Sequence, residues 1–144
     1  MRRLALFLLV GPVLALGGTG THAQQYSLVG NWQGAASLGG LPVTSNATLR
    51  ADGSFSMLAE SEPGLSFNVV GVYTVIPAQQ TIRFVNREWS PREQCLPGMD
   101  FQIHCTALAV PPTLDVQYRF GSADLVTVQS PSLTIGPVQY LRVR

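Results

Sequence analysis

The amino-acid sequence predicts an all-β domain, most simply an up-and-down antiparallel β-barrel of about eight strands. Three observations carry this expectation. From Leu28 onward apolar and polar residues alternate with period two. No stretch shows a convincing helical period, and clusters of Gly, Pro, Asp and Ser break the runs at short intervals. Alternation alone does not say whether the sheet closes, so a β-sandwich is the alternative; closure has the advantage of removing exposed strand edges.

The strands are preceded by a targeting segment. Arg2 and Arg3 lead an almost unbroken apolar run over 4–16, and Thr21-His22-Ala23 fits a small-x-small cleavage pattern. Residues 1–23 are therefore expected to be a signal peptide, with residues 24–144 forming one domain from Gln24. The apolar run falls well short of the ~20 residues a spanning helix needs, so no stable membrane insertion is expected after cleavage. No cysteine lies near the cleavage site to carry a lipid. Removing 23 of 144 residues leaves 121, which suits a single domain with a modest core.

The first strand is expected over 28–37, with Leu28, Trp32 and Ala36 on one side, and Gly39-Gly40-Leu41-Pro42 ends it. Over 43–51, Val43, Ser45, Ala47, Leu49 and Ala51 oppose Thr44, Asn46, Thr48 and Arg50. Asp52-Gly53 then signals a tight hairpin of type I′, which needs positive φ at both central residues. The chain returns over 54–60 with Phe55, Met57 and Ala59 inward, and turns again at Glu62-Pro63-Gly64.

A long strand over 65–76 carries Phe67, Val69, Gly71, Tyr73 and Val75 in phase; Gly71 in its middle predicts a bend or bulge. After Pro77-Ala78-Gln79-Gln80, residues 81–89 place Ile82 and Phe84 opposite Arg83 and Arg87. A long break over 90–100 precedes a short strand within 101–110. The cleanest alternation follows over 113–120, with Leu114, Val116, Tyr118 and Phe120 against Asp115, Gln117 and Arg119. Strands at 125–129 and 138–143 complete the chain, with a short run at 133–135 between them.

Charge and cysteine usage narrow the function. All nine basic residues are arginine; seven remain after cleavage against eight acidic residues, a net charge of −1 with histidine neutral. No basic stripe exists to hold a phosphate backbone, so no nucleic-acid partner is expected. Cys95 and Cys105 are the only cysteines, and an exported chain meets an oxidising compartment. A structural disulfide is expected; the spacing is not that of a redox pair, and with His104 alone nearby it falls short of a zinc site.

The catalytic inventory is thin. His104 is the one histidine left after cleavage, and no nucleophile-elbow, phosphate-loop or dinucleotide motif is present. Glu60 and Glu62 read as solvated carboxylates flanking a turn, and Glu88 and Glu93, with Arg87 and Arg92 nearby, as surface ion pairs. The expectation is a protein that is not an enzyme, with no metal and no cofactor.

Several short motifs then come together. Leu28-Val29-Gly30-Asn31-Trp32, Asp52-Gly53-Ser54-Phe55, Gly71-Val72-Tyr73-Thr74-Val75 and Tyr140-Leu141-Arg142-Val143 resemble the small bacterial lipocalin-like proteins of the calycin group. The resemblance implies that Trp32 plugs the closed end of the barrel and that Arg142 stacks over it. It departs from true lipocalins in lacking room for a long helix before the last strand.

Two functional readings follow. In the first, the domain is an exported, periplasmic or secreted bacterial binder holding a small apolar ligand in the barrel, with Phe55, Phe67, Tyr73, Phe84, Tyr118 and Phe120 as lining residues. Tyr73 and Tyr118 would be its polar handles. In the second it is a protein-interaction module, such as a hydrolase inhibitor, acting through the stapled loop, with Leu96, Met99 and Phe101 as apolar contacts.

Overall fold

The computed structural model describes residues 26–38, 41–61, 64–99, 102–132 and 136–144. The expected signal peptide and its cleavage point before Gln24 lie outside these residues. So do Gly39-Gly40, Glu62-Pro63, Phe101 and the expected run at 133–135; the side chain of Leu96 is likewise outside the described set.

Among the described residues ten strands form: β1 (Gly30–Leu38), β2 (Leu41–Leu49), β3 (Ser54–Ser61), β4 (Leu65–Ile76), β5 (Thr81–Ser90), β6 (Glu93–Pro97), β7 (Ile103–Ala107), β8 (Thr113–Ser122), β9 (Leu125–Gln129) and β10 (Val138–Val143). Eight of them close into an antiparallel barrel in the order β1-β10-β9-β8-β5-β4-β3-β2, while β6 and β7 make a separate two-stranded sheet. The barrel is therefore up-and-down, with one hairpin inserted between β5 and β8. Among the described residues the helical content is one 3-10 turn, Pro77–Gln79.

Alternation fixes the interior face of each strand, because successive side chains point to opposite sides of a sheet. Trp32, Ser45, Leu49, Phe55, Val69, Ile82, Val116 and Val126 are buried, and each lies in the apolar phase of its strand. The outer face carries Thr44, Arg83, Asp115, Gln117 and Arg119, which are exposed. Arg83 and Asp115, paired across β5 and β8, form a two-pronged ion pair with both contacts at 2.8 Å.

The predicted bend at Gly71 is present as a register shift between Val70 and Gly71, where Val70 pairs with Glu88 but Gly71 pairs with Asn86. Arg87 is the extra residue. Any Cβ on Gly71 would collide with the Val85 carbonyl oxygen and lie 2.9 Å from the Phe55 ring, so strands and ring can approach only at glycine. The bulge also changes the interior phase of β5, from Ile82, Phe84 and Asn86 to Trp89.

Two local expectations are corrected. The β2–β3 connection is not a type I′ turn, because Gly53 alone has positive φ (81°). The Gly53 amide donates to the Arg50 carbonyl and the Arg50 amide to the Ser54 carbonyl, which makes a three-residue loop. The Asp52 carboxylate holds this form by accepting from the Ser54 amide (2.8 Å) and hydroxyl (2.7 Å), which draws its pKa below the ordinary carboxylate value. The second correction concerns the stapled segment. Its first part, expected as a break over 90–100, contains strand β6, which pairs with β7, the strand expected within 101–110, so that Cys95 stands opposite Cys105 and the two are joined by a disulfide.

Candidate functional site

The barrel has two unlike ends. At one end lie the β2–β3, β4–β5 and β8–β9 turns, the entry to β1 and the end of β10. At the other lie the β3–β4 turn, the β9–β10 connection and the whole inserted hairpin.

The first end is closed by Trp32. Its ring is 3% exposed and its indole N–H donates to the Leu28 carbonyl at 2.8 Å. Trp32 pairs directly with Arg142 across β1 and β10, so both side chains occupy the same interior face. The guanidinium carbon sits 4.3 Å from the indole centroid. Its nitrogens donate to the carbonyls of Ser27 (2.6 Å), Val29 (2.7 Å) and Ala123 (3.1 Å), and Asp124 lies 3.5 Å away. One side chain thus ties the strand β1 entry, the β8–β9 turn and the last strand together. Gly30 is required beneath it: its φ is 143°, and any Cβ there would collide with the Arg142 guanidinium.

Above Trp32 the barrel is hollow. A cavity of about 600 Å³ runs from Leu28 and Trp32 to the rim, within the ~300–1,000 Å³ range of small-molecule sites. Its wall is apolar, with Ala47, Met57, Ala59, Val69, Ile82 and Val126 among the residues that face it. Three of the six predicted lining aromatics are there: Phe55, Phe67 and Phe84. Phe55 and Phe84 meet edge-on at 4.8 Å between centroids.

The other three predicted lining residues do not border the cavity, although all are on the interior face. Tyr118 and Phe120 lie toward the closed end, where Phe120 packs on Tyr26, Trp32 and Tyr118 at 5.4, 6.3 and 5.8 Å. Tyr73 is likewise low in the barrel, and its hydroxyl donates to the Arg50 carbonyl at 2.8 Å. Burial and then the charge of Asp52 raise the Tyr73 pKa. These rings are floor rather than wall.

The polar handles are different residues. Tyr140 on β10 and Ser45 on β2 both face the cavity, with their hydroxyls 2.8 Å apart. Asn86, aimed inward by its place ahead of the bulge, also lines it. The period-two pattern of β10 offered two faces, Val138–Tyr140–Arg142 or Gln139–Leu141–Val143. The structure turns the first inward and leaves Leu141 and Val143 60% and 46% exposed.

A strap, residues 108–112, crosses the open end, and Ala109, Val110 and Pro111 contribute to the cavity. Neighbouring β5 holds it. The Asn86 amide N–H and side-chain amide donate to the carbonyls of Pro112 (2.9 Å) and Pro111 (2.6 Å), and the Trp89 indole donates to Leu108 (3.0 Å). Arg92 covers the Trp89 ring at 3.8 Å. Beside the strap a rim groove of about 320 Å³ shares Val43, Ala59, Phe67 and Ala109 with the barrel cavity as lining residues.

Beyond the strap the hairpin projects outward. Every residue of β7 is exposed, and Met99 and Ile103 near its tip are 104% and 73% exposed. Among the described residues no three His, Cys, Asp or Glu side chains gather as metal ligands, and no helix is long and apolar enough to cross a membrane. Comparison with models of known protein families and with curated proteins finds no match to either.

Proposed function

We propose that this chain is an exported lipocalin-like binding protein, not an enzyme, that carries a small apolar molecule inside its barrel. The observation that supports this reading is the cavity itself. An eight-stranded barrel can be filled by its own side chains or can hold one small ligand. Here small interior residues (Ala47, Ala59, Ser45) stand beside Phe55, Phe67 and Phe84, and the interior above Trp32 is left open. The disulfide supports an oxidising, extracytoplasmic setting, and a periplasmic or secreted bacterial location belongs to the same proposal. Native mass spectrometry of freshly purified protein should show a co-purified apolar mass. A ligand-free spectrum together with no thermal shift across a lipid panel would refute the reading.

A second reading has its own observation. Met99 and Ile103 are apolar side chains presented on a stapled, projecting hairpin, an arrangement suited to insertion into a protein partner such as a hydrolase. Replacing Met99 and Ile103 with Ser should then abolish capture of that partner without altering the barrel's melting temperature.

A further inference from the structure

The chemistry of the cavity wall defines its ligand more narrowly than apolarity does. We infer that the site takes an uncharged apolar molecule bearing one hydroxyl or carbonyl oxygen, received by Tyr140 and Ser45, and that it rejects the corresponding carboxylate. This rests on the cavity being a ligand site.

Among the described residues no Asp, Glu, Arg or His side chain faces the cavity. The arginine on the interior face is Arg142. Its guanidinium lies against Trp32 and is committed to the carbonyls of Ser27, Val29 and Ala123. The remaining arginines of the barrel strands, such as Arg83 and Arg119, are on the outer face. At the rim groove the charged side chain is Glu60, which repels an anion. A carboxylate drawn inside would be stripped of water without a partner charge, which is strongly unfavourable.

Against this uncharged wall one hydroxyl pair stands out. The Tyr140 ring lies close over Gly34, where a Cβ would come within 2.8 Å of it, and this approach carries its hydroxyl to Ser45. Ser45 is buried, and its hydroxyl also donates to the Gly34 carbonyl at 3.5 Å, the limit of a hydrogen bond. Each hydroxyl has one donor and two acceptor sites. When Ser45 donates to Tyr140 the phenol proton is left for a ligand oxygen, and when Tyr140 donates to Ser45 the phenol lone pairs are left for a ligand hydroxyl. A ligand alcohol and a ligand carbonyl are both accommodated; an alkane gains nothing from the pair.

The test is titration of the full mature protein at neutral pH with lauryl alcohol, laurate and dodecane, followed by tryptophan emission and native mass spectrometry. The alcohol should bind and laurate should bind at least tenfold more weakly. Tyr140→Phe and Ser45→Ala should each weaken the alcohol about three- to tenfold and leave dodecane unchanged. Equal binding of alcohol and laurate, or variants that leave the alcohol unaffected, would overturn the inference while sparing the cavity. Failure of all three probes to bind would remove the cavity reading and the inference together.

Discussion

The two ends of the barrel are built on the same small device and use it differently. At each end a tryptophan donates its indole N–H to a leucine carbonyl and carries an arginine on its ring face: Trp32 with Leu28 and Arg142, Trp89 with Leu108 and Arg92. At the closed end Trp32 and Arg142 come from opposite ends of the chain, and Arg142 reaches three further carbonyls. At the open end Trp89 and Arg92 are neighbours in sequence, Trp89 is only half-buried, and the pair anchors a strap and a hairpin that projects from the barrel. A contact that closes the chain on itself contributes to the whole fold. A contact between near neighbours fixes only its own segment, which can open without unfolding the rest. The asymmetry places stability at Trp32 and access at Trp89.

The largest test of this division is Trp32→Ala against Trp89→Ala. Loss of the Trp32 ring removes the floor and should destabilise the barrel by about 3–5 kcal/mol in chemical denaturation. Trp89→Ala should cost less than half as much and should instead accelerate proteolysis at the strap. Equal losses would break the comparison.

Next in size is the arginine. Arg142→Met keeps the apolar stem but forfeits the ring-face contact and the carbonyl bonds, with an expected loss of about 2–3 kcal/mol. Arg92→Met should stay within about 1 kcal/mol, the range of exposed cation–π pairs.

The disulfide should matter less to the barrel than loop closure alone implies. A bridge closing a loop of this size is worth about 2–3 kcal/mol when the loop unfolds with the rest of the protein. The β6–β7 hairpin has its own sheet and an exposed face, so the loss saturates at the hairpin's own modest stability. Cys95→Ser with Cys105→Ser should therefore lower the barrel's stability by less than about 1 kcal/mol while exposing the segment to protease. A drop of several degrees in melting temperature would show that hairpin and barrel unfold together.

The smallest effect is electrostatic. The hydrogen bond and then the charge of Arg83 depress the Asp115 pKa, and Ser54 depresses that of Asp52. For groups depressed on folding, the unfolded chain binds protons first as pH falls. Their contribution is present above the ordinary carboxylate value of 3.8 and is lost below it. Acid titration of stability should show this loss at low pH, slightly flattened in Asp115→Asn, and a loss near neutrality would contradict the assignment. Both groups are exposed, so solvent screening keeps the effect small.

Much of this was legible in the chain. The interior phases of β2, β3, β4 and β8 follow directly from their alternation, and the Gly71 irregularity from a glycine within a strand. The disulfide partners follow from there being two cysteines. Trp32 and Arg142 were legible as a pair by resemblance, and the register of β1 on β10 sets one against the other. Trp89 was not, because it enters the interior only after the bulge at Arg87 changes the phase of β5. Of the hairpin, the return strand was legible within 101–110, but β6 was not, because it is five residues long and carries no alternation.

What the amino-acid sequence determined by itself is therefore which face of β2, β3, β4 and β8 is interior, since a period of two encodes a side of the sheet. It does not encode height along the barrel axis. That comes from the stagger of eight paired strands, and it alone separates Phe55, Phe67 and Phe84, which wall the cavity, from Tyr73, Tyr118 and Phe120, which floor it. Closure was likewise a tertiary decision, because it depends on β1 finding β10 across the full length of the chain. The cavity follows from that closure: empty space belongs to no single strand, only to the ring they complete.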